Sequence, residues 1–254
     1  LNSYLRHFYR TALPTTAMAT DNTTTFPLTE QAYRTLRKAI VQCEFAPDER
    51  LRVDDLSSRY GYSSSPVREA LARLVEQGLV RSIENRGFRV ASISVEGITD
   101  LTRVRLLIET EALRDAMKVG DDAWEERVVA AAHSLRLAEQ RLGEGPIALD
   151  ETWSERHRAF HLAIYSACSS QLLLNLIEQL FDNAERYRRY SARFRTASRK
   201  KSQEHQLIMK AALKRDEKAA LGLIEQHIIE TERNVIDSVK TMHAQDLAQA
   251  NASR

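Results

Sequence analysis

Tyr62-Ser63-Ser64-Ser65-Pro66-Val67-Arg68-Glu69-Ala70-Leu71 is entered through Val53-Asp54-Asp55-Leu56 and left through Gln77-Gly78-Leu79-Val80. Ser63 or Ser64 can cap a helix, and Pro66 fits its first turn, where a missing N–H costs little. Leu71, Leu74 and Val75 then supply an apolar stripe at helical spacing. Upstream, Val53 to Tyr60 reads as a short helix stopped by Gly61, a residue suited to the left-handed end of a helix. A short helix, a tight turn and a helix that opens with hydroxyls and an arginine can push a helix N-terminus into the major groove of DNA.

The flanks complete a domain. Thr29 is a plausible N-cap for a helix with apolar positions Ala32, Tyr33, Leu36, Ile40 and Val41, closed by Phe45-Ala46-Pro47-Asp48. Arg50-Leu51-Arg52 reads as a short extended link. Leu79-Val80-Arg81-Ser82-Ile83 and Gly87-Phe88-Arg89-Val90-Ala91 alternate around Glu84-Asn85-Arg86, which predicts a hairpin with a basic tip. Three helices followed by a hairpin make a winged helix-turn-helix, placed at residues 27–93. From Ser94 the periodicity is helical, with helices expected at about 94–118, 121–142, 148–168, 170–194, 198–214 and 216–243. The fold class is therefore mainly α: a winged helix-turn-helix and an all-helical bundle of about six helices over 94–243.

Composition agrees. The chain of 254 residues carries only 8 Gly and 5 Pro, which favours long helices and short connections. Its net charge of +2 makes no global case for nucleic acid, so any such case is local. Cys43 and Cys168 stand far apart in no CxxC pattern, and lone thiols fit a reducing cytoplasm. No apolar run approaches the roughly 18 residues of a membrane span. Residues 1–26 read as a disordered tail, with Met18 as the expected natural start, and 244–254 as a flexible tail.

The expected DNA contacts follow from chemistry. Ser63, Ser64 and Ser65 offer hydroxyls and free N–H groups to a phosphate at a helix N-terminus. Arg68 suits a bidentate contact to guanine. Arg86 at the hairpin tip can enter the minor groove, with Asn85 beside it and Gly87 allowing close approach, while Arg52 and Arg59 add backbone contacts. One such head buries too little surface for tight binding, so a homodimer on a two-fold double-stranded operator is expected.

A second constellation lies downstream. His157-Arg158-Ala159-Phe160-His161 places two imidazoles one helical turn apart, and His205 and His227 fall in two further helices. Neutral imidazoles suit zinc, nickel, copper or iron. The spacing by itself leaves a metal-dependent enzyme open, although the glutamate that follows the first histidine in a zinc protease motif is missing. A DNA-binding protein with a purely structural helical domain also stays open.

The chain resembles the GntR family of bacterial transcriptional regulators, in the FadR-type branch with a helical FCD domain. The resemblance runs from about Pro27 to Lys240 and is carried by Phe45-Ala46-Pro47-Asp48-Glu49-Arg50-Leu51, Ser65-Pro66-Val67-Arg68-Glu69-Ala70-Leu71 and Gln77-Gly78-Leu79-Val80. In the second half its carriers are Arg105-Leu106-Leu107-Ile108-Glu109, Phe160-His161, Glu204-His205 and His227. It implies a cytoplasmic, ligand-responsive repressor, not an enzyme, in which His161, His205 and His227 hold a divalent metal, zinc first and nickel or another next. It also implies that Arg105 reaches a small carboxylate effector, with glutarate-like acids one option.

Two positions depart from the family. Ser64 stands where an arginine is usual, so the operator is its own. His157 stands where an aspartate or asparagine is usual. It either ligates the metal, leaving the site more positive and receptive to an anion, or contacts the effector in a site without metal. The run Glu185-Arg186-Tyr187-Arg188-Arg189-Tyr190, continuing to Arg193, Arg195, Arg199, Lys200 and Lys201, reads mostly as a solvated face, with Arg186 or Tyr187 turned inward toward the effector.

Overall fold

Helix-forming stripes and caps account for most of the architecture in the computed structural model, which describes residues 26–84, 86–142, 150–194 and 203–252. Helix α1 (Leu28–Val41) buries Ala32, Leu36, Ala39 and Ile40, the face its spacing predicts. It starts one residue ahead of Thr29, whose hydroxyl instead donates to Glu69. Helix α2 (Val53–Tyr60) ends at Gly61, whose φ of 73° is the left-handed conformation that disfavours a side chain. Helix α3 (Ser64–Glu76) buries Val67, Ala70, Leu71 and Leu74 against α1.

The link Arg50–Leu51 is strand β1, and it pairs with the hairpin of β2 (Val80–Ile83) and β3 (Gly87–Val90). The sheet order is β1-β3-β2, all antiparallel, with Val80 opposite Val90 and Leu51 opposite Phe88. Leu51, Val80 and Val90 turn inward onto α1 and α3, so the sheet closes the first core.

The bundle comprises α4 (Val95–Val119), α5 (Asp122–Arg141), α6 (Glu151–Tyr165), α7 (Gln171–Ala192), α8 (Glu204–Leu213) and α9 (Glu217–Ala252). Ser94, Asp121, Asp150 and Ser170 each accept a backbone N–H at the start of α4, α5, α6 and α7, a cap worth about 1 kcal/mol. Leu113, Trp124, Phe160, Ile164, Ile208, Ile224 and Ile228 form the second core. Two extents differ from expectation. Helix α8 begins at Glu204 rather than 198, and α9 runs to Ala252, through most of the stretch read as a flexible tail. Ala244-Gln245-Asp246-Leu247-Ala248-Gln249-Ala250 has no Gly or Pro and is rich in strong helix formers, which carries the helix onward. The first 25 residues, including Met18, and the break at Gly143 to Pro146 lie outside the described residues.

Helix α7 joins the two halves. Arg37 of α1 donates from Nε and Nη2 to the two oxygens of Asp182, at 2.6 and 2.5 Å. Asn183 donates to the Gln77 carbonyl at 2.9 Å, and Arg186 donates to the carbonyls of Ala91 and Ser92, just before α4. A small apolar cluster of Ile93, Ile98, Tyr187, Val235 and Val239 fills the same joint.

Candidate DNA-reading face and histidine centre

The outer side of α3 is set by what its inner side buries. With Val67, Ala70, Leu71 and Leu74 inward, Ser64, Ser65 and Arg68 face solvent. Ser63 occupies the N-cap position with no side-chain cap bond, and Ser65 donates to Glu69 at 3.2 Å. The opening N–H groups of α3 therefore point outward beside exposed hydroxyls, the geometry that receives a phosphate.

The arginines of this half sort into two groups. Arg59 is bonded to Glu44 at 2.6 Å, Arg81 to Asp48, and Arg89 to the Asp48 carbonyl, so these hold the domain itself. Arg52, Arg68 and Arg86 are exposed and enter no ion pair among the described residues. Arg59, expected to add a phosphate contact, is half exposed and pairs with Glu44, with its guanidinium over the Phe45 ring. Gly87, at φ 82°, makes the turn beside Arg86. Asn85 lies outside the described residues.

The structure brings His157 and His161 from α6, His205 from α8 and His227 from α9 to one point, with one nitrogen of each within 4.8 Å of the others. None is more than 6% exposed. The ring centroids of His157 and His161 are 4.6 Å apart, and His161 stacks near His227 at 5.1 Å. Trp153 stacks on His157 at 4.5 Å, and the Phe181 ring covers both histidines of α6.

Both ring nitrogens of His161 and of His205, and Nδ1 of His157, are buried with no hydrogen-bond partner among the described residues. An unmet buried polar atom costs about 1–3 kcal/mol, so this convergence is unfavourable unless something accepts the lone pairs. A divalent transition ion meets that need with the donors present. Around the centre, His227 Nδ1 lies 3.0 Å from Glu204 Oε2. A proton held there makes Nε2 the acceptor nitrogen of the His227 ring. Glu139 sits 3.5 Å from His205 Nδ1 without the alignment of a hydrogen bond.

Burial holds the pKa values of His157 and His161 well below the ordinary histidine range. Positive charge on the neighbouring imidazoles and on Arg188 pushes the same way, joined by Arg105 at His161. Both rings are therefore neutral near pH 7, the form that ligates metal. Arg105 is buried and donates to Glu109, whose other oxygen accepts from Tyr165 at 2.7 Å. Burial, with the Glu109 charge, raises the Tyr165 pKa well above its usual value, so the phenol keeps its proton and remains a donor.

Two models match the chain: "Bacterial regulatory proteins, gntR family" over residues 28–90 and "FCD domain" over residues 100–230. The second spans half of the sequence. The chain belongs to the GntR family and carries an FCD domain. The GntR segment contains Arg52, Arg68 and Arg86, and the FCD segment contains all four converging histidines. This GntR–FCD regulator is 39% identical over 201 residues to the HTH-type transcriptional repressor GlaR of Escherichia coli K12, covering 78% of the chain and 90% of that protein. It is 38% identical to the HTH-type transcriptional regulator BphR of Paraburkholderia xenovorans LB400, covering 79% and 82%. Escherichia coli McbR/YncC has the same fold, with a TM-score of 0.68 at 20% identity over 86% of this chain and all of that one. The family and these relatives are DNA-binding transcriptional regulators, not enzymes.

Two expectations for α7 are corrected. Arg186 and Tyr187 do not turn toward the histidines: Arg186 binds the Ala91 and Ser92 carbonyls, and Tyr187 packs on Ile98 and Val239. Nor is the basic run a solvated face, since Glu185, Arg186, Arg188 and Arg189 are all buried. Glu185 pairs with both Arg188 and Arg189, Glu151 gives Arg189 a second carboxylate, and backbone carbonyls satisfy Arg186, so burial becomes tolerable. Arg195, Arg199, Lys200 and Lys201 lie outside the described residues.

The side chain that sequence reasoning missed is Arg188. Its guanidinium lies 4.8 Å from the Phe181 ring that covers His157 and His161. A usable clue was present. Ile177, Phe181, Ala184 and Arg188 form one stripe at helical spacing, so Arg188 sits in line with the apolar face.

Proposed function

We propose that this GntR–FCD regulator is a repressor whose helical domain binds a small carboxylate beside a divalent transition metal, releasing the operator. The observation that carries the reading is the convergence of four buried imidazoles, with nitrogens of His157, His161 and His205 lacking a hydrogen-bond partner among the described residues and with arginines close by. His161, His205 and His227 would hold the metal through one nitrogen each, with His157 a fourth donor. Zinc is the first candidate, and nickel or another divalent ion the next. When bound, the ion would supply a Lewis-acid position for one carboxylate oxygen.

Imidazole ligands bring no negative charge of their own to a dipositive ion, which favours an anionic ligand over a neutral one. Arg105, set by Glu109, adds positive potential on the α4 side of the centre. Glu204 orients His227, as an outer carboxylate does for a metal-bound histidine.

At the other end, Arg68 would read a guanine in the major groove, Ser63, Ser64 and Ser65 would grip phosphate, and Arg86 and Arg52 would flank them. Two copies on a two-fold operator would give the surface that one head lacks. Acid binding would favour a dimer geometry that no longer fits both half-sites. No helix among the described residues is long and apolar enough to cross a membrane. The protein would act in the cytoplasm, where both cysteines stay reduced.

The test is a gel-shift titration with an operator selected by the protein from a random duplex pool. Acetate, succinate and glutarate are added to zinc-loaded and to chelated protein. At least one acid should weaken operator binding about tenfold in the zinc-loaded protein alone. No effect of any acid in either form would favour a helical domain with a purely structural role.

A further inference from the structure

Arg188 and the helix that carries it have features the proposed function does not use. Arg188 is buried, donates from Nε and Nη2 to Glu185 at 3.1 and 2.5 Å, and keeps Nη1 buried without a hydrogen-bond partner among the described residues. A guanidinium with an unmet edge, packed on the aromatic ring that covers His157 and His161, is a ready donor to a carboxylate. Arg105 is held by Glu109 in the same way, through Nε and Nη2, but has no buried nitrogen left without a partner among the described residues.

Neighbouring residues of α7 serve opposite masters. Phe181, Glu185 and Arg188 belong to the histidine side, at i, i+4 and i+7. Asp182, Asn183 and Arg186 hold the DNA-reading domain through Arg37, the Gln77 carbonyl and the link before α4. Glu185 also bonds Arg189 at 2.8 Å, and Arg189 bonds Glu151, which lies 3.6 Å from Lys38 of α1. A helix carries such contacts as one body, so it cannot shift on one face alone.

Resting on the carboxylate-sensing function above, we propose that Arg188 anchors the effector's carboxylate and that α7 is the lever passing occupancy to the DNA-reading domain. An acid on the Nη1 edge of Arg188 draws the guanidinium's charge away from Glu185. Glu185 then redistributes toward Arg189, and α7 moves relative to the Arg37–Asp182 and Arg186–linker contacts.

The experiment uses zinc-loaded full-length protein and whichever of acetate, succinate and glutarate binds the wild type most tightly by calorimetry. Arg188→Met should keep its zinc and lose at least about tenfold in acid affinity. Arg188→Lys, which retains charge and guards against a folding defect, should lose severalfold because it cannot present a planar fork. Arg37→Met should keep acid affinity within about threefold, while the acid's effect on operator affinity shrinks about tenfold. Unchanged acid affinity in both Arg188 variants would overturn the anchor. A full operator response in Arg37→Met would overturn the lever. Absence of acid binding by the wild type would instead remove the sensing function itself.

Discussion

The DNA-reading face and the histidine centre use the same kinds of side chain in opposite ways. On the DNA-reading face, Arg52 at the start of α2, Arg68 on α3 and Arg86 at the hairpin tip are exposed and enter no ion pair among the described residues, because a polyanion is to be met from solvent. In the bundle, Arg105 and Arg188 are buried against Glu109 and Glu185, because a guanidinium removed from water needs a counter-charge before any ligand arrives. Imidazoles follow the second pattern with a difference. Among the described residues, nothing pairs with nitrogens of His157, His161 and His205. A surface built for DNA can rely on water until its partner comes. A buried site cannot, so its unmatched atoms point to a ligand more directly than any exposed charge does.

The contrast can be broken most forcefully at His161. Removing one of its convergent donors with His161→Ala should lower zinc affinity by more than the roughly 10–100-fold that even an outer-shell change costs. Competition with a chromogenic chelator measures this, and operator binding by the acid-free protein should survive. Equal zinc affinity in the variant would take His161 out of the centre.

A smaller effect is expected on the exposed side. Arg68→Ala should weaken specific operator binding by about 1–3 kcal/mol and relax the preference at one base position. Arg52→Ala should weaken binding to all sequences alike and reduce the salt slope by about 1. Salt-dependent titrations separate the two. If Arg68→Ala showed only the uniform, salt-linked loss, Arg68 would be a phosphate contact.

The smallest effect is a pH dependence confined to the buried side. His157 and His161 have pKa values in the fold well below the ordinary value near 6.5, mainly through burial. Their neutral burial contributes fully above that value. As pH falls below about 6.5 the unfolded chain takes up protons that the folded one refuses, so the chelated protein loses stability. Thermal melts at pH 7.5 and 5.5 should differ, and by less in a variant lacking His161. Identical shifts in both proteins would mean that other groups set the slope.

Much of this was legible in the sequence. The turn from Gly61 to Pro66 and the alternation around Glu84 to Arg86 are local, and their backbone preferences hold in the fold. The gathering of four histidines followed from helix spacing combined with family positions. The assignment within α7 failed for a physical reason. A run of arginines looks solvated when only charge is counted, because Glu185 can pair with two of them only in a helix that puts i+3 and i+4 beside it, and Glu151 reaches Arg189 only from another helix. Arg186 escaped for another reason: its partners are backbone carbonyls of Ala91 and Ser92, and a distant carbonyl leaves no trace in side-chain identities.

The most direct measurement is elemental analysis of the full chain purified without a histidine tag, with and without chelator treatment. About one equivalent of a divalent transition metal per chain, removed by chelator and restored by zinc, is the predicted result. Less than about a tenth of an equivalent of any such metal, with no effect of chelator or added zinc on stability or operator binding, would contradict the account.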